Sequence, residues 1–319
     1  MSTLVFLEHH GDAIQKGSLG LLSKAASLDP DTSAVIVGSG VSGLASQAAA
    51  YGAAKVYIAD DASLEAPLPQ PRVDVIAALV QANGFDNVLF GASVLASDIA
   101  GGLSARLDAG LNWDLTDLAV EGGALVGKRS ALGDTIVVDV GWTATPRLAL
   151  VRAGSFEPAE RSGAGAVESA GVSLEEFSGK ATMLDQAHET ASGPSIEEAD
   201  ILVTGGRGLG APEAFGKLEE LAAALGGAVA STRAVVDSGW YPYPTQIGQT
   251  GKTVAPKLYI GAGVSGAIQH KVGMQSSQTI VAVNKDGNAP IFDFSDFGVV
   301  GDLHEVIPAL TALVKERKG

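Results

Sequence analysis

Two segments of the chain place glycine at the spacing that lets a phosphate approach a backbone. They are Gly38-Ser39-Gly40-Val41-Ser42-Gly43 and Gly261-Ala262-Gly263-Val264-Ser265-Gly266. Each follows a short apolar run, so each reads as a strand-to-helix turn. In such a turn the first helical N–H groups lack partners, the dipole end is positive, and glycine lets an anion reach both. After the first segment the next apolar run ends in Asp60, where an acid that holds a ribose would stand. After the second it ends in Asn284, with Asp286 close behind. With 41 glycines in 319 residues, a plain packing turn competes with each assignment. The plain turn is favoured for the first segment, which follows the second expected strand and lies in an acidic half. Phosphate binding is favoured for the second, which has Ser265, Gln269, His270 and Lys271 around it.

Other chemistries find no footing. There is no G-x-x-x-x-G-K-[ST] loop, no H-E-x-x-H and no G-x-S-x-G elbow. His9 and His10 are adjacent and do not face one metal as an i,i+4 pair would. The chain has no cysteine, which excludes disulfides, thiolate metal sites and thiol nucleophiles. No catalytic residue and no metal ligand is assigned.

The elements that must carry the glycine turns follow from periodicity. Apolar runs at 4–7, 34–37, 56–58 and 88–90 read as buried parallel strands. Helical spacing fills 18–28, 41–51 and 72–83 between them. Past Gly110 strands are expected at 124–130, 135–140 and 148–152 without long helices, which suggests a mixed sheet or an antiparallel extension. A polar stretch with a Gly-Pro break then reads as a linker, and the α/β rhythm restarts. Strands are expected at 201–204, 228–231, 258–260, 279–283 and 297–300, with helices over 212–225, from after Gly266 to about Met274, and over 303–318. Asp302 followed by Glu305 resembles an N-cap with a capping box, and Pro308 sits inside that last helix. The class is α/β. An N-terminal nucleotide-binding-like α/β domain with a mixed sheet is expected over 1–188, a linker over 189–200, and a doubly wound parallel-sheet domain over 201–319.

Composition narrows the partners. Apolar residues are 46% of the chain and charged residues 18%, enough for two cores and too few charges for a disordered chain. The net charge of −15 argues against a general nucleic-acid binder, whose affinity comes from cations on phosphates. Residues 1–199 hold 11 basic and 25 acidic groups, whereas residues 200–319 hold 10 and 11. An anionic ligand therefore meets least repulsion in the C-terminal third. No apolar run approaches the roughly 18–20 residues of a spanning helix, and no secretory or Arg-rich leader precedes the first strand. The expectation is a bacterial, cytoplasmic protein without membrane insertion.

The C-terminal third carries a longer and more specific pattern. It runs Leu258-Tyr259-Ile260-Gly261-Ala262-Gly263-Val264-Ser265-Gly266-Ala267-Ile268-Gln269-His270, then Gly273-Met274, Ser277, 280–286 and 289–292. Upstream stand Gly205-Gly206-Arg207-Gly208, the block Ser231-Thr232-Arg233 leading to Asp237, and Gln246-Ile247-Gly248-Gln249-Thr250-Gly251-Lys252. This resembles the alpha subunit of electron transfer flavoproteins, strongly over about 200–319 and weakly before it. Gly261, Val264 and Thr232 are small departures from that pattern.

The resemblance implies a heterodimer with a beta subunit and one FAD per heterodimer, held mainly by the C-terminal domain of this chain. An AMP is implied in the beta subunit and not here. It implies an electron carrier without substrate turnover of its own. Its donors would be acyl-CoA and other flavin dehydrogenases of fatty acid β-oxidation, and its acceptor a membrane-bound electron transfer flavoprotein–quinone oxidoreductase. Residue by residue, Gly263, Ser265, Gly266, Ala267, Ile268, Gln269 and His270 would hold the pyrophosphate turn. Asn284, Asp302 and Leu303 would lie at the adenosine end, with a plain N-cap as the competing role of Asp302. Arg207 would stand near the phosphates or the flavin edge. Thr232 and Arg233 would approach the isoalloxazine, where a fixed cation raises the potential; the competing role of Arg233 is an ion pair with Asp237. Gln246, Ile247, Gly248, Gln249 and Thr250 would border the ring, Thr250 through its hydroxyl, and His270 would donate to a pyrimidine carbonyl. Two other functions stay open: a nicotinamide-dependent oxidoreductase using Gly38, Gly40, Gly43 and Asp60, and an electron-bifurcating member of the same family.

Overall fold

The computed structural model describes residues 1–132, 136–185 and 195–318. The chain divides into two compact units, Met1–Gln186 and Ala187–Gly319.

In the first unit the chain runs β1 (Thr3–Phe6), a small hairpin β2 (His9–His10) and β3 (Ala13–Ile14), α1 (Lys16–Leu28), β4 (Ser33–Gly38), α2 (Ala45–Ala50), β5 (Lys55–Asp60) and α3 (Pro69–Asn83). It continues through β6 (Asn87–Gly91), α4 (Val94–Leu107), β7 (Leu111–Glu121), β8 (Ala124–Ala131), β9 (Ile136–Val140), β10 (Arg147–Val151) and β11 (Ala166–Ser169). The main sheet has the order β11-β5-β4-β1-β6-β10-β7-β8-β9. It is parallel from β11 to β7, and β8 and β9 are added antiparallel. This is the mixed α/β sheet expected. Alternation along the central strands splits its apolar residues between two cores. Leu4, Phe6, Val35 and Val37 face α3 and α4, while Val5, Leu7, Ala34 and Ile36 face α1 and α2.

Two elements of this unit lack a clear periodic signal. Helix α4 contains Gly101 and Gly102, and β7 mixes Asp114, Thr116 and Asp117 with its apolar residues. Strand β10 is not part of the antiparallel run; it pairs parallel between β6 and β7. The helix expected over 41–51 is a 3₁₀ turn, Ser42–Leu44, followed by the six residues of α2. Thr135 and His188 lie outside the described residues, as does the first half of the expected linker, 189–194. Its last residues, 195–200, already belong to the second unit, because Ile196 is buried in that unit's core and Leu258 N–H donates to the Asp200 carbonyl.

The second unit runs β12 (Ile201–Gly205), α5 (Phe215–Leu225), β13 (Ala228–Thr232), α6 (Arg233–Asp237), β14 (Gln246–Ile247), β15 (Leu258–Ala262), α7 (Ile268–Lys271), β16 (Ile280–Asn284), β17 (Phe297–Val300) and α8 (Leu303–Lys318). Its sheet is parallel throughout, in the order β14-β13-β12-β15-β16-β17. Helices α5 and α8 pack on Val203, Ile260, Ala262 and Val283. The opposite face, with Leu202, Ala230, Tyr259 and Ala282, is covered by Ile247, Val254, Met274 and Ile291. The helix expected through Met274 is only the four residues of α7. Past it the turns tighten, with Gly273 N–H donating to the His270 carbonyl and Met274 N–H to the Lys271 carbonyl, and glycine is required at 273, where a Cβ would stand 2.4 Å from the Gly248 nitrogen. Among the described residues, no helix is long and apolar enough to cross a membrane.

Candidate functional site

Strand β12 sends the chain to β13 on one side, and the chain later returns to β15 on its other side. The C-terminal ends of β12 and β15 are therefore the topological switch point of the parallel sheet, where open α/β sheets bind ligands. Both ends carry glycine loops, and these lie backbone against backbone. Gly206 N–H donates to the Ala262 carbonyl at 3.0 Å, and Gly208 N–H donates to the Gly263 carbonyl at 3.0 Å. A Cβ on Gly206 would stand 2.2 Å from the Gly263 carbonyl oxygen, and Gly263 itself has φ +64°. Any side chain would wedge the loops apart, so glycine is required by contact and by conformation.

Beyond Gly263 the backbone presents a run of donors. Among the described residues nothing accepts a hydrogen bond from the N–H groups of Val264, Ser265, Gly266, Ala267, Ile268 or Gln269. Val264 and Gly266 are buried, whereas Ser265, Ala267, Ile268 and Gln269 are exposed. Six consecutive unpartnered donors next to a glycine crevice suit a polyanion. The Arg207 guanidinium is exposed at the rim and makes no ion pair among the described residues. Asn284 shapes the turn from behind: its side-chain N–H donates to the Val264 carbonyl at 2.9 Å, and its oxygen accepts from Asp286 N–H. Leu303 is buried beneath Gly263. Asp302 caps α8, accepting from His304 N–H at 2.8 Å, so the competing capping role is realised.

The 246–252 loop is joined to the turn around α7. Gln249 N–H donates to the Gln269 carbonyl at 2.8 Å, and Gly248, at φ +139°, packs on the same carbonyl. Gln246 is buried and its amide donates to Thr250 Oγ at 3.1 Å. A hydroxyl that accepts there keeps its own proton to donate outward. Thr232 ends β13 beside Ile247. Arg233 pairs with Asp237 at 3.2 Å, both well exposed. Such an i,i+4 pair is worth only about 0.3–0.5 kcal/mol, so it holds the guanidinium weakly.

His270 stands apart from expectation. Its ring is buried, with Nε2 2.7 Å from the Tyr259 hydroxyl and Nδ1 3.2 Å from the Ile247 carbonyl. Burial lowers its pKa to about 4, so the ring is neutral near neutrality. Both nitrogens are already engaged inside the protein, which leaves no ring N–H pointing outward as a ligand donor. Sequence reasoning passed over Tyr259. The available signal was a phenol in an otherwise aliphatic strand, since a buried hydroxyl needs a partner.

The first glycine segment has a different fate. Asp60 Oδ1 accepts from Gly40 N–H at 2.6 Å, and its Oδ2 accepts from Ser42 N–H at 3.1 Å and the Ser42 hydroxyl at 2.5 Å. The anion those donors would hold is thus supplied by the chain itself. Asp60 fills the place of a phosphate and does not reach toward a ribose. The segment also sits on β4, away from the switch point at β1 and β6. The nicotinamide reading fails on both grounds.

A switch point lined by glycine loops and unpaired N–H groups defines a dinucleotide-binding class of α/β protein. Comparison with known proteins gives the family. Residues 3–176 match the electron transfer flavoprotein domain, and residues 195–275 match the electron transfer flavoprotein FAD-binding domain. The electron transfer flavoprotein subunit alpha of Mycobacterium leprae is 44% identical over 320 residues, covering 99% of each chain. The subunit alpha of Thermoanaerobacterium thermosaccharolyticum is 37% identical, covering 98% of each. Protein FixB of Clostridium saccharobutylicum is 39% identical, covering 98% of this chain and 96% of its own. The chain belongs to the electron transfer flavoprotein family, among its alpha subunits.

Proposed function

We propose that the second unit holds one FAD per heterodimer and that the protein carries single electrons between other flavoproteins and a quinone oxidoreductase. The observation that carries this is the run of six unpartnered N–H groups beside the paired glycine loops. Ser265, Gly266, Ala267, Ile268 and Gln269 receive the pyrophosphate, with Arg207 adding positive charge. Asn284 and Leu303 stand at the adenosine end, and Asp302 stands there through the carboxylate oxygen that does not cap α8. FAD, when bound, supplies the one-electron chemistry that no side chain here possesses. The protein's part is to orient the ring and set its potential. Arg233 contributes a cation that favours electron gain, and its weak pair with Asp237 leaves it available. The Thr250 hydroxyl donates outward while Gln246 holds its oxygen, and Gln249 lies at the same rim.

The first unit serves assembly with a beta subunit, which carries an AMP. Acyl-CoA and other flavin dehydrogenases donate electrons, and an electron transfer flavoprotein–quinone oxidoreductase accepts them, in a bacterial cytoplasm. The test is co-expression with the partner subunit, followed by an absorption spectrum and cofactor release. Flavin bands at one FAD per heterodimer are expected. A correctly folded, colourless heterodimer that takes up no FAD would overturn the proposal.

A further inference from the structure

We propose that Tyr259 is a positioning residue of the flavin site, fixing His270 as one tautomer and through it the loop from Gln246 to Thr250. This rests on the reading that the loop borders the flavin.

The chain of hydrogen bonds has one consistent direction. The Ile247 carbonyl only accepts, so His270 Nδ1 must carry the proton that bridges the 3.2 Å between them. A neutral ring then has its lone pair on Nε2, and the Tyr259 hydroxyl, 2.7 Å away, must donate to it. Burial keeps both groups in these states: the phenol is pushed well above its ordinary value and the imidazole well below. The Thr204 hydroxyl lies beside the same phenol, is buried, and has no hydrogen-bond partner by geometry among the described residues.

What this relay controls is the loop. Ile247 accepts from His270, Gln249 N–H donates to the Gln269 carbonyl, and Gly248 lies against Gly273. The loop is thus clipped at three successive residues onto the turn that contains His270. Tyr259, a fully buried residue of β15, ties that clip into the sheet through its side chain. Packing alone would be served by phenylalanine. A buried hydroxyl persists at no cost only because it is bonded. Its removal leaves His270 Nε2 a buried acceptor without a partner, and the ring is no longer held to one tautomer.

The experiment uses the full chain co-expressed with its partner subunit. This chain contributes five imidazoles to the histidine-labelled complex, His270→Gln identifies the one of interest, and ¹⁵N correlation spectra read its tautomer. Wild type is expected to show His270 as the Nδ1–H form, with an Nε2 shift typical of a hydrogen-bonded acceptor; an Nε2–H form would overturn the proposal even if no variant folded. In Tyr259→Phe three changes are expected. The Nε2 resonance moves toward a free acceptor or a tautomer mixture, and amide exchange at Gly248 and Gln249 quickens roughly tenfold or more. The flavin midpoint potential also shifts, while exchange in β12 and β13 stays as in wild type. An unchanged tautomer with unchanged loop exchange would overturn the proposal, as would a loosened loop with an unmoved flavin potential. A wild-type complex that takes up no FAD would remove the flavin reading, and the tautomer and exchange data would still show whether Tyr259 clips the loop.

Discussion

Gly206→Ala probes the contact on which the crevice depends. The new Cβ would stand 2.2 Å from the Gly263 carbonyl oxygen, 2.6 Å from its carbon and 2.7 Å from Val264 Cα. All three are backbone atoms, so no side chain can rotate away. An unstrained carbon–oxygen contact is about 3.3 Å or more, so the two loops must part by about 1 Å. That displacement breaks the 3.0 Å bonds from Gly206 to Ala262 and from Gly208 to Gly263. Overpacking costs about 1–3 kcal/mol, and each lost hydrogen bond about 0.5–1.5 kcal/mol. The sum, about 2–6 kcal/mol, corresponds to amide exchange faster by roughly 30-fold to 25,000-fold. Mass-spectrometric exchange of peptides spanning 201–210 and 258–266 reads it directly, and FAD affinity should fall with it. Gly216→Ala is the control: Gly216 lies exposed in the first turn of α5 with nothing within 4 Å of the added carbon. It should leave exchange unchanged or slow it, because alanine restricts the unfolded chain. Exchange in Gly206→Ala within threefold of wild type would refute the contact argument.

Three other perturbations test the remaining pieces. His270 is neutral when folded, with a pKa near 4 against 6.5 when free. Its contribution is therefore complete above pH 6.5 and lost as pH falls through 4, on the order of 3 kcal/mol. The second unit's exchange protection should decline over that window and His270→Gln should flatten the decline; a variant with the wild-type profile would exclude His270 as its source. Arg233→Ala should lower the flavin potential while leaving FAD content near one, checked by stepwise reduction; an unmoved potential would remove Arg233 from the ring. Asp60 has its pKa held below the ordinary carboxylate value by the Ser42 hydroxyl and the loop's N–H groups. Protection at Gly40 and Ser42 should persist above about pH 4 and fall below it, and Asp60→Asn should lose much of it at every pH; wild-type protection in that variant would mean that the carboxylate does not hold the loop.

Much of this was legible in the sequence, and the failures have physical causes. Buried parallel strands announce themselves as continuous apolar runs, so β1, β4, β12 and β15 were readable to within two residues at each end. Helix α8 shows its apolar spacing and its Asp302 cap, and its bounds follow from both. Helix α4 was hidden because a pair of glycines dilutes its apolar face. Strand β7 was hidden because its solvent-facing acids break the alternation. Around α7 the residues have helical spacing, but the approach of Gly273 to Gly248 is a tertiary constraint that no local window contains. The same holds for His270. Its position next to the anion turn was readable, whereas the inward ring depends on Tyr259, which lies eleven residues earlier in the chain.

The two glycine segments, nearly identical in spelling, show how one neighbouring atom decides between a filled and an open anion site. After each, the following strand ends in a short polar side chain that reaches back to the turn. Asp60, ending β5, is an acceptor only, so it must take N–H groups, and it takes those of Gly40 and Ser42. Asn284, ending β16, can donate, and it uses that capacity on the Val264 carbonyl. Among the described residues, the N–H groups from Val264 to Gln269 have no partner. Asn284→Asp should reverse the outcome. A carboxylate cannot donate to Val264, is repelled by that carbonyl, and finds its nearest acceptable partners in the turn's N–H groups, where it competes with the FAD pyrophosphate. Charge repulsion adds to the lost donors, and a tenfold to hundredfold loss of FAD affinity is expected, about 1.4–2.8 kcal/mol. Fluorescence titration of the deflavinated heterodimer measures it. The loss should shrink as pH drops toward about 4 and the new carboxyl takes up a proton. An affinity equal to wild type at neutral pH would show that the strand-end residue does not govern which turn accepts a phosphate.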